Sequence, residues 1–136
     1  MDVTDKPVIL IVDDDKEDRI RLGRYLRLDG YEVLEAVGGS EALAIAENPS
    51  TRIDLLITDV RMPLLNGWEL SKRINALRPD LKVLFASGYS LEILKLLKIC
   101  VERSSLIHKS LDRGIFLSVV RRFLNIQSQG DPAYSP

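Results

Sequence analysis

The chain has 136 residues, of which 46% are hydrophobic and 29% charged, and its net charge is −1. These values are typical of one globular domain, and the small net charge excludes a global attraction to nucleic acid or to anionic membranes. The single cysteine, Cys100, cannot form an internal disulfide or a zinc site, so we expect a cytoplasmic protein. We also expect no signal peptide, because Met1 is followed by polar residues, and no membrane insertion, because no apolar run approaches membrane-spanning length.

Five apolar runs of strand length alternate along the chain with five segments of helical periodicity. The predicted strands cover residues 8–12, 31–36, 53–58, 81–86 and 105–108. The predicted helices cover residues 16–28, 40–47, 67–77, 91–100 and 112–124, with Ser40 as the N-cap of the second. This alternation predicts a three-layer α/β domain with a parallel sheet and right-handed crossovers. The domain is expected to cover residues 1–125, with 126–136 as a flexible C-terminal tail or linker.

Chemically active side chains stand at or just beyond the C-terminal ends of four of these strands. They are Asp13, Asp14, Asp59, Ser87 and Lys109. Because the carboxyl ends of parallel strands lie along one edge of a sheet, the fold would gather them into one acidic pocket. Three neighbouring carboxylates need a cation or must take up protons, and oxygen ligands favour Mg²⁺ or a similar hard ion.

A carboxylate in such a pocket can accept a phosphoryl group and form an acyl phosphate. Asp59 is the best candidate nucleophile, because it follows a buried strand and precedes a loop rich in turn residues. In this interpretation Asp13 and Asp14 hold the metal ion. Lys109 contacts the phosphoryl oxygens, and Ser87 donates a hydrogen bond once the phosphoryl group is present.

Four stretches occur in a fixed order around these residues. They are Val-Asp-Asp-Asp at 12–15, Thr-Asp-Val-Arg-Met-Pro-Leu-Leu-Asn-Gly at 58–67, Phe-Ala-Ser-Gly-Tyr at 85–89 and His-Lys at 108–109. Together they resemble the CheY-like receiver domains of two-component response regulators. The resemblance implies a flavodoxin-like fold with strand order 2-1-3-4-5 and phosphorylation of Asp59. It also implies a Mg²⁺ site formed by the three aspartates and the backbone carbonyl of Arg61.

The resemblance further implies a signalling switch, not a turnover enzyme. Its output would pass through the surface of the fourth helix, fifth strand and fifth helix, and the resemblance allows a homodimer through that surface. The implied partners are a histidine kinase or histidine phosphotransfer protein, and a downstream target or attached output domain. Ser-Gly-Tyr at 87–89 is similar to receivers attached to hybrid sensor kinases.

The chain departs from the family pattern at two positions. Ser110 stands where the family usually has proline, and a cis peptide before serine costs about 2.5–4 kcal/mol. The isomer of the Lys109–Ser110 bond and the placement of the lysine are therefore open. Leu106 stands where the family often has tyrosine or phenylalanine, which predicts weaker coupling between the pocket and the output surface.

Two other functions are weighed against the switch. An interaction module that needs no phosphorylation is left open by Ser110 and Leu106, although the intact Asp59 and Lys109 argue against it. A phosphohydrolase of the haloacid dehalogenase type would need an aspartate two residues after its nucleophile, where this chain has Arg61.

Several polar or aromatic residues near the motifs are predicted to be structural. Asp15 is expected to cap the first helix, and His108 and Trp68 are given no chemical role. A set of three arginines on the first helix is expected to form a solvated face: Arg21, Arg24 and Arg27.

Overall fold

Five strands form one sheet in the computed structural model, which describes residues 6–99 and 101–128, the side chains of 126–128 excepted. The strands are β1 (Val8–Val12), β2 (Glu32–Ala36), β3 (Leu55–Asp59), β4 (Lys82–Ser87) and β5 (Leu106–His108). All neighbouring strands are parallel, and their order is β2-β1-β3-β4-β5. The flavodoxin-like order is therefore confirmed.

Helices cover both faces of this sheet. They are α1 (Lys16–Leu28), α2 (Gly39–Glu47), α3 (Gly67–Leu77), α4 (Leu91–Leu96) and α5 (Arg113–Ser128), with a 3₁₀ turn at Arg103–Ser105. The helix α5 runs three residues past the predicted domain end at 125, and the rest of the predicted tail, 129–136, lies outside the described residues. No helix in the described ranges has the length and apolar character needed to cross a membrane.

The central strands are buried because their alternate side chains pack into two separate cores, one on each face of the sheet. Ile9 and Ile11 of β1 pack with Leu26 of α1 and Phe116 of α5 on one face. Leu10 of β1 belongs to the core on the opposite face, under α2 and α3. A continuous apolar run therefore marks a strand covered on both sides, as the sequence predicted.

Side-chain caps fix where the helices begin. Asp15 caps α1 by accepting a hydrogen bond from the Asp18 amide at 3.0 Å, which confirms its predicted role. The prediction that Ser40 caps α2 is wrong, because α2 begins at Gly39 with Gly38 as its N-cap. A β-carbon on Gly39 would come within 2.6 Å of Leu65, so a glycine inside the first turn of α2 allows close packing of the β3–α3 loop.

The helix α4 ends four residues before its predicted end. Lys98 adopts a left-handed conformation with φ of 61°, and its amide bonds to the carbonyl of Lys95 at 3.0 Å. The next amide, of Ile99, bonds to the carbonyl of Leu94 at 2.9 Å, which completes a Schellman-type stop. Beyond this end Ile99 packs into the core under α4, whereas Leu97 is exposed, and Cys100 lies outside the described residues.

Candidate functional site

Three carboxylates meet at the carboxyl edge of the sheet. One oxygen from each of Asp13, Asp14 and Asp59 lies within 4.8 Å of the others. Asp13 and Asp59 are buried, with 2% and 8% of their surface exposed, whereas Asp14 is open to solvent. The structure thus brings together the predicted acidic trio, and this set of oxygen donors fits a hard divalent cation such as Mg²⁺.

The loop after β3 closes tightly over the backbone of Asp59. The Gly67 amide donates to the Val60 carbonyl at 2.8 Å, and a β-carbon on Gly67 would overlap the carbonyl oxygen of Asp59. The hydroxyl of Thr58 also donates to that carbonyl, at 2.9 Å. Glycine at 67 is therefore required for the path of the loop that leaves the Asp59 side chain facing the pocket.

Lys109 lies among the carboxylates. Its Nζ is 2.9 Å from Asp13 Oδ2, 3.0 Å from Asp59 Oδ2 and 3.2 Å from Asp18 Oδ2. Its amide donates to the Ser87 carbonyl at 2.9 Å, which ties the start of the β5–α5 loop to the end of β4. No peptide bond among the described residues is cis, so Lys109 reaches Asp59 with a trans bond to Ser110.

Burial dominates the electrostatics of the pocket. It raises the pKa of Asp59 from 3.8 to about 6. The positive charge of Lys109 acts in the opposite direction, but the carboxylates of Asp13 and Asp14 partly offset it. Burial also raises the pKa of Asp13, although the hydrogen bond from Lys109 favours its ionised form. The pocket therefore resists holding its full negative charge, which favours a bound cation.

For the pKa of Lys109, the neighbouring carboxylates outweigh burial. Burial alone would lower the pKa of Lys109, but the hydrogen bond from its ammonium to Asp13 and the charge of Asp59 together raise it above its ordinary value. The ammonium therefore stays charged throughout the neutral range, and it supplies a fixed positive charge beside Asp59.

Ser87 ends β4 on the same edge, and its side chain is completely buried. Its oxygen accepts a hydrogen bond from the Tyr89 amide at 2.9 Å, while its carbonyl accepts from Lys109. Since Asp59 pairs in register with Ala86, Ser87 stands one position beyond the aspartate on the neighbouring strand. The hydroxyl is thus placed between the pocket and the start of the β4–α4 loop.

Arg61 lies in the loop after β3 and is exposed. Its guanidinium carbon lies 5.8 Å from the centre of the Tyr89 ring, so the loops that follow β3 and β4 approach each other through these two side chains. The role of its backbone carbonyl as a metal ligand stays a prediction.

Three polar residues of α1 were missed by the sequence analysis. Arg19 donates to the Asp13 carbonyl at 2.8 Å, and Asp18 contacts Lys109. Arg21, predicted to be solvated, donates to the Lys109 carbonyl at 3.1 Å and to Asp18 at 3.0 Å. The available signal was the opposite charge of Asp18 and Arg21 at three-residue spacing, next to the acidic cluster.

The other two residues predicted to be structural have local contacts. The ring nitrogen Nδ1 of His108 lies 2.6 Å from the Ser110 hydroxyl and accepts from the Ser110 amide at 3.1 Å. Trp68 is half-buried against the core under α4, and Lys72 Nζ lies 3.4 Å from the centre of its ring. Neither contact involves a residue of the acidic trio.

The comparisons with known proteins agree with this geometry. The model of the response regulator receiver domain matches residues 9–121. The sensor kinase CckA of Brucella abortus (strain 2308) is 38% identical over 91 residues, which are 65% of this chain and 9% of that protein.

Two solved structures are similar over nearly their full length. The receiver domain from the hybrid histidine kinase CckA has a TM-score of 0.71 at 37% identity, covering 86% of this chain and 98% of that one. A CheY-like receiver domain protein from Methanospirillum hungatei JF-1 has a TM-score of 0.77 at 31% identity, covering 91% and 98%. The chain spans between 9% and 35% of the length of the first curated relatives it matches. The chain therefore belongs to the response regulator receiver domain family, whose members are phosphorylation-dependent signalling switches.

Proposed function

We propose that Asp59 accepts a phosphoryl group from the histidine of a kinase or a phosphotransfer protein. The observation that carries this proposal is the ammonium of Lys109, 3.0 Å from the Asp59 carboxylate within a cluster of three aspartates. An oxygen of Asp59 attacks the phosphorus in line, and the bond from phosphorus to the donor imidazole breaks. The product is an acyl phosphate on Asp59 and a free imidazole.

Asp13, Asp14, Asp59 and the backbone carbonyl of Arg61 would hold Mg²⁺, as the oxygen-rich donor set supports. When bound, the ion supplies positive charge that offsets the negative charge of the phosphoryl oxygens. Lys109 supplies a second positive charge from the start of the β5–α5 loop. Because this ammonium is held by Asp13 as well as Asp59, it is in place before the phosphoryl group arrives.

Ser87 is proposed to report the phosphoryl group to the output surface. Its hydroxyl would turn from the Tyr89 amide toward a phosphoryl oxygen, which would pull on the start of the β4–α4 loop. Exposed apolar side chains mark the surface formed by α4, β5 and α5, and they include Ile93, Leu96 and Ile115. Leu106 packs beside Phe85 in the core under α4, so the shift is transmitted by packing and is expected to be small.

We propose that the chain acts together with a larger signalling protein. The length of the curated relatives supports a receiver that works within or beside a larger signalling protein, with a hybrid sensor kinase as one origin. A cytoplasmic location remains part of the proposal, from the single cysteine of the chain. The partners would then be a histidine kinase or phosphotransfer protein and an output domain or downstream target. The chain would act as a phosphoacceptor and not as a turnover enzyme.

The test is intact-mass spectrometry of the chain after incubation with Mg²⁺ and acetyl phosphate. The wild-type chain should gain the mass of one phosphoryl group, and Asp59→Asn should gain none. Asp80→Asn is the matched control, since Asp80 is an exposed aspartate in the loop after α3, and it should be labelled like the wild type. Labelling that persists in Asp59→Asn would overturn the assignment, and an unlabelled wild type would favour the phosphorylation-independent interaction module.

A further inference from the structure

Two residues of α1 contact Lys109, one at its side-chain ammonium and the other at its backbone carbonyl. The carboxylate of Asp18 lies 3.2 Å from the lysine Nζ, and Arg21 donates to the lysine backbone carbonyl at 3.1 Å. Arg21 also donates to Asp18 at 3.0 Å, which closes a ring of contacts between α1 and the β5–α5 loop. Asp18 and Arg21 are separated from Lys109 by about ninety positions in sequence, so their contacts lock two distant segments together.

The ring acts on a loop that the sheet holds only through the Lys109 amide, next to local contacts of Ser110 and Leu111 with His108. A lysine has a flexible four-carbon stem, and the residue after it is Ser110, which does not fix its own backbone as a proline would. The Lys109 amide is bonded to the Ser87 carbonyl, whereas the Lys109 carbonyl is bonded to Arg21. Arg21 therefore fixes the half of the Lys109 backbone that the sheet does not hold.

We propose that Asp18 and Arg21 are positioning residues that hold the Lys109 ammonium beside Asp59, a role that rests on the function proposed for Asp59. An ammonium has three N–H donors, and here they face Asp13, Asp18 and Asp59. When Asp59 becomes an acyl phosphate, the donor that faced its carboxylate turns to a phosphoryl oxygen. Asp13 and Asp18 keep the other two donors, so the ammonium does not leave the site.

The side chains that form the ring are partly buried, which reduces the screening of their charges by solvent. The Arg21 and Asp18 side chains are 35% and 28% exposed, and the Lys109 side chain is 11% exposed. Arg24 stands one turn along the same helix and is exposed, so it offers a substitution with the same change of charge. It is the matched control for Arg21.

The first experiment measures the rate of phosphoryl transfer from acetyl phosphate by intact-mass spectrometry. Arg21→Met should be labelled about tenfold more slowly than the wild type, which corresponds to about 1.4 kcal/mol of activation free energy. Arg24→Met should be labelled at nearly the wild-type rate. Arg21→Lys should recover part of the loss, because a lysine can still donate to one of the two acceptors. Equal rates for Arg21→Met and Arg24→Met would overturn the proposal.

The second experiment asks whether Arg21 acts through the lysine. In a double-mutant cycle with Lys109→Met, the slowing caused by Arg21→Met should largely disappear, because there is no ammonium left to position. A slowing that persists in full would mean that Arg21 acts in another way and would overturn the proposal. The melting temperature of each variant and its rise with Mg²⁺ separate lost positioning from lost folding.

Amide hydrogen exchange gives a reading that does not depend on labelling. Arg21→Met should speed exchange at Ser110 and Leu111, while Arg24→Met should leave it unchanged. Unchanged exchange in Arg21→Met would show that the ring does not hold the loop, even if Lys109→Met is labelled too slowly to time. A wild-type chain that is never labelled would overturn the proposed function of Asp59, and the exchange measurement would still decide whether Arg21 holds the loop.

Discussion

Replacing Asp59 with asparagine should stabilise the metal-free protein, and the gain should depend on pH. Asparagine has nearly the shape of aspartate and keeps an oxygen that can accept from Lys109, but it carries no charge into the buried pocket. The pKa of Asp59 is raised from 3.8 to about 6, mainly by burial. The folded protein therefore binds a proton at this residue more tightly than the unfolded chain does.

The direction of the pH effect follows from this difference. Between about pH 4 and pH 6 the unfolded chain has released the proton and the folded protein still holds it, so stability falls as the pH rises through that window. A pKa raised from 3.8 to about 6 corresponds to about 3 kcal/mol of folding free energy, which is lost above pH 6. Asp59→Asn does not suffer this loss, so at pH 8 its melting temperature should be roughly 10 °C higher.

The assay is thermal unfolding in EDTA at pH 4 and at pH 8, followed by circular dichroism. The gain of Asp59→Asn over the wild type should be large at pH 8 and close to zero at pH 4. Asp80→Asn, an exposed aspartate variant, should show little gain at either pH. A gain of the same size at both pH values, or a loss at pH 8, would refute the argument from burial.

Three further predictions concern the metal, the loop and the relay. Asp14→Ala should lose most of the rise in melting temperature that Mg²⁺ gives the wild type, and an unchanged rise would count against the metal site. Gly67→Ala should lower the free energy of unfolding by about 1–3 kcal/mol, because its β-carbon would overlap the Asp59 carbonyl, whereas Gly88→Ala in open space should change it little. Beryllofluoride, a phosphoryl mimic, should shift NMR signals across residues 88–99 and 101–106 in the wild type and much less in Ser87→Ala. Signals that change only beside Asp59 in the wild type would mean that the chain does not relay the event through that surface.

The sheet and the acidic trio were predictable because both depend on local patterns. A continuous apolar run marks a buried strand, and the polar residue that ends it falls at the carboxyl edge whatever the details of packing. Asp13, Asp59 and Lys109 therefore converge as soon as the strands are parallel and correctly ordered.

The features that were missed depend on the backbone or on distant contacts. The end of α4 is set by a lysine in the left-handed conformation, which helical periodicity does not reveal because lysine seldom adopts it. The contacts of Asp18 and Arg21 with Lys109 join segments that are far apart in sequence. On a helical wheel these residues are part of a polar face, and only the position of the β5–α5 loop shows that they are partly buried against Lys109.

Chemical identification of the phosphorylated residue tests directly whether Asp59 is the phosphoacceptor. After labelling with acetyl phosphate and Mg²⁺, borohydride reduces an aspartyl phosphate to homoserine, which peptide sequencing by mass spectrometry can locate. Homoserine is expected at position 59 and at no other aspartate. Homoserine at Asp13 or Asp14, or a labelled chain without homoserine at position 59, would contradict this assignment.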